Sequence, residues 1–198
     1  GVCAQLCTLL TAACAPLCVC VCGTRHRCVA ADTSYPFEWA ATFAVSADSS
    51  TWSMQADDDG VYADASMRLV FFPTADTDDA TLDSLMDAAS DLMSGDSCTV
   101  VEAGDAMGAP AAGGSCFELR TSETGLDSLY TLDTSATSGV AVFAEHAPTE
   151  FERDTHYFFA NAANMEPIVS WAPPPPSYVF DWGGTFTVPA DSSTWSMQ

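Results

Sequence analysis

The 198-residue chain has no lysine, and its five arginines stand against 27 aspartates and glutamates, a formal charge of −22 at neutral pH. A surface this poor in cations repels nucleic acid and anionic lipid, which removes nucleic acid as a partner. The same surface stays soluble in salt and attracts divalent cations. GC-rich coding exchanges lysine for arginine, but arginine is scarce too, so the acidity belongs to the protein and not to its codons. Between residues 34 and 176 there are 24 acids and three arginines, Arg68, Arg120 and Arg153, so nearly all the charge lies in that segment.

The motifs of common catalysis are missing as well. There is no G-x-S-x-G, no H-E-x-x-H and no glycine loop of the phosphate-cradling kind. No serine or cysteine accompanies His146 or His156 in the pattern of a nucleophile and base, and the carboxylates are too many for one pair to stand out. The expectation is a protein that is not an enzyme.

Cysteine is unevenly placed: seven of nine lie in the first 28 residues, leaving Cys98 and Cys116. Both of these sit in strand-like runs, SCTVVEA and GSCFELRT, which as antiparallel neighbours would come within bridging distance. Secretion would oxidise them to a disulfide; the alternative is two buried thiols. The first region, 1–33, is apolar, with 21 uncharged residues from Val2 to Cys22 followed by Arg25, His26 and Arg27. It reads as an export leader, as a membrane anchor (the one route to a membrane), as a cysteine-rich element, or as a gene-model artefact, since a GTGTGT tract encodes Cys18 to Cys22. Its C-x-C-x-C run lacks the paired C-x-x-C spacing of zinc knuckles.

What the chain does have is a repeat. SYPFEWAATFAVSADSSTWSMQ from Ser34 returns as SYVFDWGGTFTVPADSSTWSMQ from Ser177, with 16 of 22 positions identical and an offset of 143 residues. That offset is one domain plus a linker, so the expected organisation is a tandem array. Residues 34–172 form one complete acidic module, 173–176 a stiff polyproline spacer, and 177–198 the start of a second copy. A module of this size buries a full core without help from metals or disulfides.

Within the module, Phe37, Trp39, Ala41, Phe43 and Val45 alternate with small or polar residues, the period of a half-buried strand, and Trp52 and Met54 continue the pattern after a turn. Met67 to Phe72 is a more buried strand. Leu82, Leu85, Met86, Ala89, Leu92 and Met93 lie on one face of a helix over 78–94, with acids in its first turn and Gly95 as the stop. Further strands are expected near 98–102, 115–121, 128–133, 139–144, 156–159 and 167–170. Val140 to Ala144 shows no alternation and belongs in mid-sheet. The fold class is mainly β: an antiparallel β-sandwich, immunoglobulin- or cupredoxin-like, with one inserted amphipathic helix.

Chemistry concentrates in the window Glu145-His146-Ala-Pro-Thr-Glu150-Phe-Glu152-Arg-Asp154-Thr-His156. Imidazoles mixed with carboxylates suit zinc or another borderline divalent ion, and Pro148 allows a turn that folds His156 back towards His146. A solvated loop with one structural histidine is the alternative. Two other metal readings fail. No cysteine or methionine accompanies His146 as a blue-copper site requires. Around Asp57-Asp58-Asp59-Gly60, Gln55 and Ser66 fall where a calcium loop needs aspartate and glutamate, so an Asp-Gly turn is expected.

F-x-W near the start, Tyr62-Ala63-Asp64, F-A-E-H-x-P-x-E-F-E-x-D-x-H-Y-F and Glu166-Pro167 together resemble a repeated module of histidine-rich, metal-handling surface proteins of microbes and algae. The resemblance covers most of 37–168. It implies divalent-metal sequestration at the cell surface or outside the cell, with Glu145, His146, Glu150, Glu152 and His156 as ligands. A polyproline linker stands here where such proteins carry histidine-rich ones. Two functions follow as expectations: a secreted or surface tandem module binding divalent metal, zinc-like, or a structural or adhesive repeat whose acidic surface only adapts it to salt.

Overall fold

A computed structural model describes residues 35–173, together with the strand residues 18–20 and 28–30. The second copy, all but the first residue of the polyproline spacer, and most of the leader lie outside the described residues. Strand β1 (Cys18–Cys20) pairs antiparallel with β2 (Cys28–Ala30). No helix among the described residues is long and apolar enough to cross a membrane.

The module is a sandwich of two sheets with a helix laid on one of them. The six-stranded sheet runs β13 (Val169–Trp171), β3 (Trp39–Ala44), β10 (Gly139–Ala144), β5 (Ser66–Thr74), β8 (Ser115–Arg120), β6 (Thr99–Glu102). The five-stranded sheet runs β12 (Ala163–Asn164), β11 (Phe158–Ala160), β4 (Ser49–Gln55), β9 (Asp127–Asp133), β7 (Ala106–Gly108). Between them lies one apolar core that includes Phe43, Trp52, Leu69, Phe71, Leu119 and Tyr130. A second core lies on the other side of the six-stranded sheet, where Phe37, Val70, Phe72, Ala141 and Phe143 meet the helix.

Strand patterns follow from these layers. β9 alternates without exception, with Ser128, Tyr130 and Leu132 inward and Asp127, Leu129, Thr131 and Asp133 outward, because no element among the described residues covers its outer face. β10 is buried at all six positions. Val140, Val142 and Ala144 face the opposite sheet, and Ala141 and Phe143 face the helix, so both faces of this strand are dry and alternation is lost.

Helix α1 (Asp79–Ser94) starts where Asp78 accepts hydrogen bonds from the Thr81 backbone N–H, 2.9 Å, and its hydroxyl, 2.7 Å. These bonds hold the Asp78 carboxyl below its ordinary range, the hydroxyl contributing most. Leu82, Met86, Ala89 and Met93 are its buried stripe, with Leu85 and Leu92 packed beside them.

Three expectations need correction. The sheets are mixed: β6 pairs parallel with β8, and β7 parallel with β9. The reason is that the chain crosses from β6 to the edge of the other sheet at β7 before returning to β8. The first strand is not half-buried, since Ala40, Ala41, Thr42 and Phe43 are all fully buried. The second core covers the face that the alternation assigned to solvent. The short strands β7 and β12 were not anticipated; with three and two residues they are too brief to show a period.

Cys98 and Cys116 form a disulfide with Cα atoms 4.6 Å apart. Cys98 precedes Thr99, whose partner is Phe117, so the two cysteines are the next facing pair of a parallel ladder and not of an antiparallel one. The Asp57–Val61 segment is an Asp-Gly turn, as expected. Gly60 has φ +82°, and Asp57 Oδ1 accepts from the backbone N–H groups of Asp59, 3.0 Å, and Val61, 2.8 Å.

Candidate functional site

Residues 145–156 leave the end of β10 and return to β11 across one end of the sandwich. The proline at 148 opens a single 3-10 turn, Pro148–Phe151. Phe151 and, just past the window, Tyr157 are both buried in the core between the sheets, so the loop is pinned by one aromatic in its middle and one at its end.

The polar groups pin it more closely. Gln55, the last residue of β4, is 4% exposed, and its Oε1 accepts the three successive backbone N–H groups of Arg153, Asp154 and Thr155, each at 2.9 Å. Its Nε2 donates to Asp127 Oδ1 at 2.8 Å. One amide side chain thereby satisfies three donors that the loop's own geometry leaves without a ladder partner. Glu152 Oε1 accepts from the Tyr157 N–H at 3.0 Å and meets His156 Nδ1 at 2.5 Å. His156 Nε2 faces the Met165 carbonyl at 3.1 Å, so both ring nitrogens are engaged within the protein.

At the other end of the window, Glu145 Oε2 accepts from the Arg68 N–H at 2.9 Å, and its own N–H donates to the Arg68 carbonyl at 3.0 Å. Glu145 thus continues the β10–β5 ladder. His146 lies with Nε2 3.5 Å from Asp64 Oδ2, its ring 6.5 Å from that of Phe151. Glu150 is exposed. Arg153 spans several groups: Nη1 donates to the Ala56 carbonyl at 2.9 Å, Nε to Asp154 at 2.7 Å, and Nη2 lies 3.5 Å from Asp127. Its guanidinium is held above the ordinary range chiefly by the bond to Asp154. Burial pushes the Tyr157 hydroxyl up, and Glu152 and Glu166 add to this, so the phenol stays neutral at physiological pH.

The five window residues read as ligands are therefore distributed over separate tasks. Glu152 and His156 are joined to each other, Glu145 is bonded to β5, His146 stands beside Asp64, and Glu150 faces solvent. Among the described residues, no three of histidine, cysteine, aspartate and glutamate are grouped as a metal ion requires. A ligand set drawn from all five would need His156 to give up one of its two partners, whereas Glu145 keeps its Arg68 bond through Oε2 and has its second oxygen to offer. Beside the window is an open depression of about 470 Å³, lined by Asp57, Asp58, Tyr62, Glu150, Glu152 and Arg153 among others.

Two participants escaped the sequence reading. Gln55 enters the sequence reading only as the residue that fails the calcium-loop pattern, although it stands inside the nine-residue run ADSSTWSMQ that the repeat preserves unchanged. Asp64, the partner of His146, stood in a motif already noted but 82 residues away in the chain. No family model, no curated protein and no solved structure matches this chain.

Proposed function

We propose that residues 35–173 are a non-catalytic structural or adhesive module of an exported tandem-repeat protein, with the 145–156 window acting as an internal tether. The observation that carries this reading is the engagement of the window's donors and acceptors: three consecutive N–H groups on Gln55, and both nitrogens of His156 on Glu152 and Met165. A loop whose polar groups are satisfied this way gains rigidity and offers little to a ligand. The Cys98–Cys116 disulfide supports an oxidising compartment, hence secretion or surface display. The acidic surface keeps such a module soluble in salt and apart from its neighbours in an array.

A second reading, weak divalent-cation binding of the zinc type, is favoured by one feature: the His146 imidazole beside the Asp64 carboxylate, with side chains 28% and 54% exposed. This is where the resemblance to metal-handling surface proteins would find its chemistry. Calorimetric titration of the whole chain with Zn²⁺, compared with His146→Ala and His156→Ala, separates the two. The cysteines before residue 30 are common to all three proteins, so the difference reports on the module. The structural reading predicts no saturable component lost in either variant. A component that disappears in His146→Ala would establish the metal reading instead.

A further inference from the structure

Residues 178–198 repeat residues 35–55, and residues 35–55 are the segment that forms β3 and β4. These strands hold interior places: β3 lies between β13 and β10, and β4 between β11 and β9. The whole of β4 recurs unchanged as 192–198, including the buried Ser50, Trp52, Ser53, Met54 and Gln55. Within and beside β3, the second copy keeps Trp182, Thr185, Phe186 and Val188 in the positions of Trp39, Thr42, Phe43 and Val45. The changes are Gly183 and Gly184 for the buried Ala40 and Ala41, Val179 for the half-buried Pro36, and Asp181, Thr187 and Pro189 for the exposed Glu38, Ala44 and Ser46. None adds bulk at a buried position.

The register places that copy within reach. β13 runs antiparallel to β3 with Trp171 opposite Ala40, and Ala40 corresponds to Gly183. Eleven residues, 172–182, separate Trp171 from Gly183, enough chain to make the return even with Pro173 to Pro176 held as a stiff spacer. Tyr35 and Trp171 already meet at 5.7 Å between ring centroids, so the chain enters and leaves the module side by side.

We propose that the β3–β4 slot is a docking site for the second copy of the same chain, so that residues 178–198 can replace residues 35–55 and close the fold as a circular permutant. The first copy prevails in the unaltered protein. Glycines at 183 and 184 lose more backbone entropy in a strand than alanines, and they leave two buried methyl positions empty.

The test uses the full chain carrying Trp52→Ala, Trp195→Ala, or both. Trp195→Ala alone leaves the thermal midpoint unchanged. Trp52→Ala alone keeps a cooperative transition at monomer mass, and the double variant loses it. Equal behaviour of Trp52→Ala with and without Trp195→Ala overturns the proposal. A second measurement reads the position directly. Thr51 faces Thr131 across β4 and β9, so in the Trp52→Ala background a Thr131→Cys, Thr194→Cys chain should form a 131–194 cross-link within one molecule. Failure of that cross-link while the Thr51→Cys, Thr131→Cys control forms its own, or its formation only between two molecules, overturns same-chain docking.

Discussion

The two halves of the 145–156 window look alike in sequence, each with one histidine among carboxylates, and the fold treats them differently. The half from Glu152 to His156 is bonded inward: His156, with its side chain 13% exposed, has a partner on each nitrogen, and Gln55 holds the adjacent backbone. In the half from Glu145 to Glu150, His146 has a single carboxylate at 3.5 Å and Glu150 has none of its side-chain capacity used in a described bond. What separates them is the strand end beneath each. The second half lies over Gln55, a buried amide that accepts three bonds, whereas the first half continues a ladder and turns its histidine towards the surface.

The largest expected effect comes from breaking that contrast at its source. Gln55→Ala removes the shared acceptor of three loop N–H groups, two of them on the exposed Asp154 and Thr155 where water takes its place, together with the Nε2 partner of Asp127, and should cost about 3 kcal/mol, roughly one buried group's full penalty. Urea unfolding measures it, with limited proteolysis cutting first within 152–156. Removing the disulfide by Cys98→Ser with Cys116→Ser serves as the control of similar size. A closed loop of 18 residues is worth roughly 3 kcal/mol in the chain-entropy model, but the window should stay as resistant to protease as before.

The histidines themselves give a smaller effect. His156→Ala should destabilise by about 1–2 kcal/mol, since it orphans the Met165 carbonyl and one oxygen contact of Glu152. His146→Ala should fall within about 0.5 kcal/mol of the parent, as a partly exposed pair does. Equal losses from the two would erase the distinction between the halves. Smallest of all, and opposite in sign, is Ala162→Gly. The turn between β11 and β12 holds Asn161 at φ 51° and Ala162 at φ 60°, a conformation that costs an alanine roughly 1 kcal/mol. Glycine relieves that strain but loses more chain entropy on folding, about 0.4–1 kcal/mol, so the net gain should be a few tenths of a kcal/mol, a rise of roughly 1 °C in the thermal midpoint, with the window untouched.

The sequence revealed elements wherever one physical force acted alone. The helix stripe at Leu82, Met86, Ala89 and Met93 and the alternation of β9 were legible because each has one buried and one wet face. β3 departs from the half-buried strand its alternation predicts because its second buried face depends on a helix some 40 residues later, and nothing near Ala40 or Thr42 announces that cover. The parallel pairing of β6 with β8 was hidden for a related reason, since the crossing through β7 is set by where the chain goes and not by the strands' own residues. At the candidate site, residue types were legible and their partners were not. The bond from Gln55 to Arg153 spans 98 residues, and that from Glu145 to Arg68 spans 77. A run of histidines and carboxylates has the same appearance whether its lone pairs are free or already engaged.

Amide hydrogen exchange at Arg153, Asp154 and Thr155 tests the tether most directly. The three N–H groups should be protected in the unaltered protein with a chelator present, and Gln55→Ala should remove that protection while the amides of β9 and β10 stay slow. Rapid exchange at these positions in the chelated protein, slowed only when zinc is added, would contradict the account and identify the window as a metal-ordered loop.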